Sequence, residues 1–326
     1  MVSYGSLIFL KRLLTTMFLS KNKFLLVQIF EGRNGNVVTL KDLLVLAVVY
    51  IYVFAVIGIG EGLRRWRGMK PEFTRKMIHF FAGDAILFCP FFDMPQLIPI
   101  VPLTLGLLIF FTTPRSPIKS LRSMFEVMAR EEDYSTGHIY GPFYYIVSVG
   151  VIVAAFALPF NATYWPLFTL GAFALFSMFY GDGLAAIIGL RWGKHRYTIR
   201  GNTRSLEGSL TVFAMSIVSA AITFTYYSYF GFWPSLGSLC PRILTAVLFG
   251  VPATLLLTVS FLYTPTYIEL AAVTVVGSLL ASIIEALSPR GIDNITLPLV
   301  LSPTFIILAY LVAPCYFILL QLPPLF

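Results

Sequence analysis

The sequence predicts an all-α polytopic integral membrane protein. Of its 326 residues, 58% are hydrophobic and 12% are charged, whereas about 25% of the residues in an ordinary soluble domain are charged. The mean hydropathy of the chain is +0.84. Apolar stretches of roughly 20 residues, long enough to cross the hydrocarbon core as helices, recur along the chain, and the alternating pattern of barrel strands does not. We therefore expect about eight or nine transmembrane helices.

The amino-terminal segment differs in pattern from the rest of the chain. Its apolar run "SLIFL" is too short for the core of a signal peptide, and basic residues follow at once. We expect four of its basic residues, Lys11, Arg12, Lys21 and Lys23, to lie at the lipid headgroups. We expect residues 1–36 to form an amphipathic segment at the membrane interface, followed by a single transmembrane domain over 37–326.

Apolar segments divide this domain into candidate spans. They cover 38–60, 76–93, 95–112, 139–159, 164–190, 206–229, 242–262, 266–287 and 295–321. Three connections are strongly basic, namely 61–76, 113–138 and 191–207, and they alternate with nearly uncharged ones. Because Lys and Arg accumulate in cytosolic loops, we place all three on the cytosolic side. The same rule explains the formal charge of +8 without a nucleic-acid partner.

The side of the last polar turn, 288–294, stays open. A simple count of spans from the basic loop at 191–207 puts this turn on the opposite face of the membrane. The segment 235–265 is interrupted by Gly250 and Pro252, however, and could return to its own side as a two-part hairpin.

Asp182 lies inside a predicted span. It is nine residues before Arg191, and a helix of this length places it about 13 Å from the interface. An ionised Asp at such a depth costs about 2 to 3 kcal/mol, so we expect a polar cavity with a cation or a metal beside it. Small residues surround it, namely Gly181, Gly183, Ala185, Ala186, Gly189 and Gly193. The alternative is a helix-packing seam in which Asp182 pairs with a neighbouring Arg.

The connection that follows is dense in cations. The cations are Arg191, Lys194, Arg196, Arg200 and Arg204. Several cations interleaved with Gly193 and Gly201 could hold a triphosphate, because the backbone can approach the phosphates closely. The run from Gly189 to His195 is one residue too short for a P-loop and lacks the Ser or Thr that would hold magnesium. The alternative is an anchor that binds lipid headgroups.

Two acidic stretches lie at the ends of later spans. Ser205 can cap the next helix and place Glu207 in its first turn; contact with a metal or nucleotide is the alternative for Glu207. Glu285 closes one span, and Asp293 and Asn294 begin another, where Asp or Asn is an ordinary N-cap. These acids could equally join Asp182 around a divalent cation, which prefers oxygen ligands and bridges phosphates.

A polar cluster marks a possible membrane entrance. Arg75 and His79 are four residues apart and share a helix face, with Lys76 adjacent. Tyr140 follows a polar stretch at the end of the second basic connection. An interfacial anchor and a packing histidine are the ordinary alternatives for these residues.

Together these motifs resemble the polyprenol kinase family, which includes dolichol kinase, the phytol kinases and the CTP-dependent diacylglycerol kinase of fungi. Within the family the chain looks most like dolichol kinase. The motifs are Gly181–Ala185, Gly189, Gly193–His195, Arg204–Ser209, Glu285–Leu287, Asp293–Asn294 and Leu297–Pro298. Where the family usually has Lys, this chain has Arg204, which keeps the charge but presents it in a planar fork.

The resemblance implies transfer of the γ-phosphoryl group of CTP to the hydroxyl of a membrane isoprenoid alcohol of the dolichol or polyprenol type. It also implies Mg²⁺ or another divalent cation, and a cytosolic active site in the endoplasmic reticulum membrane of a eukaryote or the cytoplasmic membrane of a prokaryote. The expected metal ligands are Asp182, Asp293 and Glu285, with Glu207 or Asp293 as the base that orients the hydroxyl. The expected phosphate-binding residues are Gly193, Lys194, His195, Arg196, Arg204 and Ser205.

Two other functions are open at this stage. A phosphatidate cytidylyltransferase would use CTP and a lipid phosphate to make a CDP-lipid, but its carboxyl-terminal acidic signature is absent from this sequence. An ion-coupled transporter would use Asp182 and Asp84 to carry ions through the membrane. It predicts inverted internal repeats, which the sequence does not show.

Overall fold

Helices form most of the computed structural model. It describes residues 38–69, 71–129, 140–157, 165–199, 202–230, 267–289 and 292–312. The helices are α1 (Leu40–Arg67), α2 (Pro71–Gly83), α3 (Ile100–Phe110), α4 (Lys119–Met128), α5 (Tyr140–Ala157), α6 (Trp165–Phe176), α7 (Gly183–Trp192), α8 (Leu206–Tyr229), α9 (Tyr267–Leu287) and α10 (Asp293–Val312). The predicted segment 1–36 and the predicted span 242–262 lie outside the described residues.

Three helices are long and apolar enough to cross a membrane, namely Leu40–Arg67, Phe168–Trp192 and Leu206–Tyr227. Four shorter apolar helices accompany them, at Pro95–Phe110, Tyr140–Ala155, Ala271–Leu287 and Asp293–Leu308. Each of these seven segments coincides with a predicted span. The prediction of a mainly helical protein with apolar helices that could cross a membrane is therefore confirmed, but the described residues do not show eight or nine spans.

The predicted span 76–93 is not one α-helix. Helix α2 ends at Gly83, and the chain continues as a 3₁₀-helix over Asp84–Phe91 that contains Pro90. Pro90 lacks the N–H that would donate to the Ile86 carbonyl in an α-helix. Hydroxyl groups of α8 hold this segment, since Tyr226 donates to the Leu87 carbonyl at 2.5 Å and Tyr227 donates to the Ile86 carbonyl at 2.9 Å.

The three basic connections contain regular structure. Helix α1 continues through Arg67 into the first, and α4 occupies the middle of the second. The third contains an antiparallel hairpin of strands β1 (Arg196–Ile199) and β2 (Asn202–Ser205), in which Arg196 pairs with Ser205. The all-α prediction was therefore wrong at this hairpin. Gly201 between the two strands is typical of a hairpin turn, but the short and polar strands do not show the apolar alternation of a half-buried sheet.

The basic connections meet at one end of the helices. Arg65 at the end of α1 donates to the Ser123 hydroxyl of α4 at 2.7 Å. Arg204 of β2 donates to the Ser288 carbonyl after α9 at 2.8 Å. Asn294 at the start of α10 donates to the carbonyl of Gly141, just after the second connection, at 3.0 Å. Ser288 and Asn294, at the two ends of the predicted turn, therefore lie on the same face as the hairpin, and we call this end the basic face.

Asp42 organises the opposite end of the bundle. Its carboxylate completes a capping box with Thr39 at the start of α1. It also accepts hydrogen bonds from the backbone N–H groups of Asp93 and Met94, at 2.8 and 3.1 Å. One buried carboxylate thus joins the first helix to the turn that follows the 3₁₀-helix.

We predict that Asp42→Ala lowers the free energy of unfolding by about 2 kcal/mol, because it removes a helix cap and leaves two backbone N–H groups without their acceptor. Reversible unfolding in mixed detergent micelles measures this loss. The neighbouring Lys41→Ala variant is the control. It removes an ion pair with Asp93 whose side chains are 56% and 49% exposed, so it should cost less than about 1 kcal/mol. Equal losses for the two variants would contradict the prediction.

Candidate active site

Asp182 ends a widened turn within a long buried helical segment. Between α6 and α7, residues Ser177–Asp182 form a π-helical turn. All six residues of this turn are buried, and Asp182 is 6% exposed. Single π turns inside α-helices are frequent at functional sites, because they break the regular hydrogen-bond ladder and change where side chains point. The predicted burial of this carboxylate is confirmed.

Lys76 is the cation beside Asp182. Its Nζ lies 2.6 Å from Asp182 Oδ2 and 3.4 Å from the carbonyl oxygen of the same residue. His79, three residues further along α2, places Nε2 at 3.6 Å from Asp182 Oδ2 and at 3.3 Å from the Met178 carbonyl oxygen. The sequence predicted a cation near Asp182, but it assigned Lys76 and His79 to a separate entrance. The spacing of three puts Lys76 and His79 on one face of α2, but nothing in the sequence indicates that this face meets Asp182.

An apolar cavity begins beside this ion pair, with about 700 Å³ of empty space that includes its open part. Polar residues line one part of it, namely Arg75, Lys76, His79 and Asn294. The other lining residues come from α1, α2, α3 and α5 and are mainly aliphatic, with Val53 and Leu105 among them. Three of the four residues predicted at a membrane entrance therefore line a cavity. The fourth, Tyr140, lies exposed at the start of α5 and stacks on Tyr144.

The glycine-rich residues of α7 serve helix packing. A Cβ atom at Gly189 would lie 3.1 Å from Ser205 Oγ, and one at Gly208 would lie 3.4 Å from the Ala185 carbonyl oxygen. A Cβ at Gly193 would overlap the Gly189 carbonyl oxygen. The close crossing of α7 and α8 requires these positions to be small. The packing alternative is thus confirmed for Gly189 and Gly193.

Ser205 caps α8 as predicted. Its Oγ accepts a hydrogen bond from the Gly208 N–H at 3.1 Å, and the residue is buried. Because this oxygen is buried against α7, the structure does not present Ser205 to a phosphate at the surface. Gly193 likewise serves packing, because a Cβ atom there would lie 2.7 Å from Ser205 Oγ.

His195 and Glu207 form a pair at the base of the hairpin. His195 Nδ1 lies 2.8 Å from Glu207 Oε1, and the His195 backbone N–H donates to the same oxygen at 3.2 Å. Glu207 is in the first turn of α8, as predicted. Lys194 and Arg196, on either side of His195, are exposed on the basic face. The expected base Glu207 is therefore paired with an expected phosphate-binding residue, while two cations face outward.

Arg204 and Glu285 form a second buried ion pair. Their side chains are 15% and 6% exposed, and Arg204 also donates to the Ser288 carbonyl. The pair joins strand β2 to the end of α9. Arg204 was expected on a phosphate and Glu285 on a metal, whereas the structure directs each toward the other.

The three acids expected to bind one metal are not gathered into a cluster. Among the described residues, no group of three or more His, Cys, Asp or Glu could hold a metal ion. Asp182 is paired with Lys76, and Glu285 is paired with Arg204. Asp293 is the first residue of α10, where its Oδ1 accepts the Asn294 N–H at 3.1 Å. Its predicted position at the start of a helix is confirmed.

Sequence comparison supplies the family. Over 249 residues the chain is 30% identical to the phytol kinase of Synechocystis sp., and the match covers 76% of this chain and 84% of that protein. The chain belongs to the polyprenol kinase family. It is also 25% identical, over 216 residues and 62% of each chain, to a protein named probable phytol kinase 1, chloroplastic, from Oryza sativa subsp. japonica. No family model matches the chain, and no solved structure matches it.

We predict that breaking the Lys76 pair from one side is more harmful than removing both charges. Lys76→Met leaves a buried carboxylate unpaired and should lower the free energy of unfolding by about 3 to 5 kcal/mol. The double variant Lys76→Met with Asp182→Asn should recover most of this loss, because no uncompensated charge remains. Detergent unfolding of wild type, both single variants and the double variant measures the coupling. Additive losses would show that the two side chains do not interact.

Proposed function

We propose that this protein is a membrane kinase that transfers the γ-phosphoryl group of CTP to the hydroxyl of an isoprenoid alcohol of the phytol or polyprenol type. One observation carries the proposal. Lys76 lines the polar part of an otherwise apolar cavity and forms an ion pair with the buried Asp182. An alcohol with a long apolar chain needs this combination, since its reacting oxygen is polar and the rest of it stays in lipid. Membership of the polyprenol kinase family supports the same activity.

In the proposed reaction, the alcohol oxygen forms a bond to the γ-phosphorus. The bond from that phosphorus to the oxygen that bridges to the β-phosphate breaks, and CDP leaves. We propose that Asp182 accepts the hydroxyl proton as this bond forms, replacing Glu207 as the base because Glu207 is held by His195. Lys76 then stabilises negative charge near the transferred group. Phosphoryl transfer depends mainly on such positioning and charge neutralisation.

The nucleotide binds, in this proposal, at the basic face. Lys194 and Arg196 are exposed beside the hairpin base and can contact phosphate oxygens without first breaking a buried ion pair. Arg204, held by Glu285, instead fixes the hairpin to α9. The choice of CTP rests on the resemblance to the family. We place this face on the cytosolic side, because it carries the basic connections.

Mg²⁺ completes the proposal by neutralising phosphate charge. The described residues offer no cluster of three ligands, but Mg²⁺ commonly binds one or two carboxylates and takes its other ligands from phosphates and water. Asp293 lies at the start of α10, on the face where the hairpin cations lie. We propose Asp293 as its carboxylate ligand.

The activity is tested with purified protein, γ-labelled CTP, Mg²⁺ and a panel of phytol, geranylgeraniol, longer polyprenols and diacylglycerol. We expect label in a prenyl monophosphate. Asp182→Asn should lower kcat about 100-fold, the size of effect expected when one preorganised electrostatic group is lost. Asp93→Asn, an exposed acid at the opposite end of the bundle, is the control and should leave kcat unchanged.

Three results would contradict the proposal. A CDP-lipid formed from phosphatidate would favour the cytidylyltransferase. Label only in phosphatidate from diacylglycerol would move the acceptor to another lipid class. Full activity of Asp182→Asn would remove this carboxylate from the reaction.

A further inference from the structure

We infer that the prenyl chain of the acceptor lies in a groove along α5, and that the hydroxyl of the bound alcohol donates a hydrogen bond to Asn294 Oδ1 until its proton passes to Asp182 during transfer. The inference rests on the proposed function for the identity of the acceptor. It assigns a binding site for the whole alcohol and a residue that positions its reacting end.

The groove consists of two adjoining cavities. The second contains about 560 Å³ of empty space, which includes its open part. It shares five lining residues with the cavity beside Asp182, namely Val53, Ala82, Leu105, Tyr145 and Ile146. Since the same side chains line both, the two cavities adjoin, and we treat them as the two parts of one groove.

The groove is long and its far part is apolar. Its lining on α5 extends from Gly141 to Val153, a distance of about 18 Å at the rise of an α-helix. No charged side chain lines the second cavity. The hydroxyl of Tyr145 is already used, because it donates to the His79 carbonyl at 2.9 Å. A polar or charged group would find no hydrogen-bond partner or counter-ion in this part of the groove, whereas a hydrocarbon chain would find apolar contacts.

Asn294 supplies a specific feature at the polar end. The residue is 7% exposed. Its side-chain Nδ2 donates to the Gly141 carbonyl at 3.0 Å, and its backbone carbonyl oxygen accepts a hydrogen bond from the Ser148 hydroxyl at 2.7 Å. These bonds fix the residue, yet its buried Oδ1 has no hydrogen-bond partner among the residues that the structure describes. A buried acceptor without a donor is uncommon, and an alcohol hydroxyl would satisfy it.

Two kinds of ligand could satisfy Oδ1, a water molecule or the acceptor alcohol. Three observations favour the alcohol: Asn294 lines the same cavity as Lys76 and His79, the ion pair with Asp182 is adjacent, and the cavity continues into an apolar groove. Only a ligand with one hydroxyl and a long hydrocarbon chain uses all three features.

The location of the chain is tested by photolabelling, which does not require activity. A geranylgeraniol analogue with a diazirine at the tail should label the far part of the groove, around Val49 on α1 and Val153 on α5. Excess phytol should suppress the label. Labelling confined to the outer surface of the bundle would overturn the inference. If the groove is labelled but the protein shows no kinase activity, the location of the chain is supported and the proposed function is refuted.

Acceptor length gives a second test of the groove. Val153→Trp should lower kcat/KM for phytol about tenfold, as expected when about two buried methylene groups are displaced, and should leave geraniol unaffected because its shorter chain ends before this residue. Val151→Trp is the matched control, since Val151 is on the same helix and 47% exposed. Equal effects of Val153→Trp on both alcohols, or none on either, would overturn the inference.

The role of Asn294 is tested by comparing two Michaelis constants. Asn294→Leu should raise KM for the alcohol about tenfold, since a hydrogen bond to the hydroxyl is lost, and should leave KM for CTP unchanged. Ser148→Ala is the control, because it removes a buried hydrogen bond to the same residue but leaves Oδ1 in place. A parallel rise in both constants for Asn294→Leu, or an equal effect of Ser148→Ala, would show a purely structural role.

Discussion

The ion pair of Lys76 and Asp182 is the interaction on which the site depends. Two charges removed from water are stable only when each is paired and its remaining hydrogen bonds are made. Here the ammonium contacts both the carboxylate and the backbone carbonyl of Asp182. The pair connects α2 to a turn 106 residues later in the chain. It thereby sets the orientation of α2, and His79, on the same helix face, is brought to the polar part of the cavity.

Other ion pairs assemble the basic face around this centre. Arg204 with Glu285 joins the hairpin to α9, and His195 with Glu207 joins the base of the hairpin to α8. Residues that looked like parts of a phosphate or metal site therefore include several that hold elements together. The arrangement separates two environments, an exposed cationic surface suited to phosphates and an apolar groove suited to a hydrocarbon. Asp182 and Lys76 lie where the groove begins.

Hydropathy predicted the spans well, because each apolar segment must satisfy its own backbone within the membrane. Seven segments coincide with predicted spans, and the burial of Asp182 was predicted from its position inside an apolar segment. The partners of the charged residues were not predictable in this way. Lys76 and Asp182 carry no signal that they meet, and both Arg204 and Lys194 read simply as cations near phosphates. Pairing depends on how helices pack, which a single sequence without relatives does not specify. The hairpin was missed for a related reason, since its strands pair with each other rather than with a core.

The π turn before Asp182 has a geometric consequence for everything after it. A turn closed from residue i to i+5 contains one residue more than an α-helical turn, and each residue of an α-helix corresponds to about 100° of rotation. The turn therefore introduces an angular offset between α6 and α7. The offset changes the direction of Asp182 and of every residue of α7 relative to α6, and with it Asp182 contacts Lys76 and Gly189 lies against Ser205. A single added residue in one turn thus helps to set the contacts that the whole following helix makes with α2 and α8.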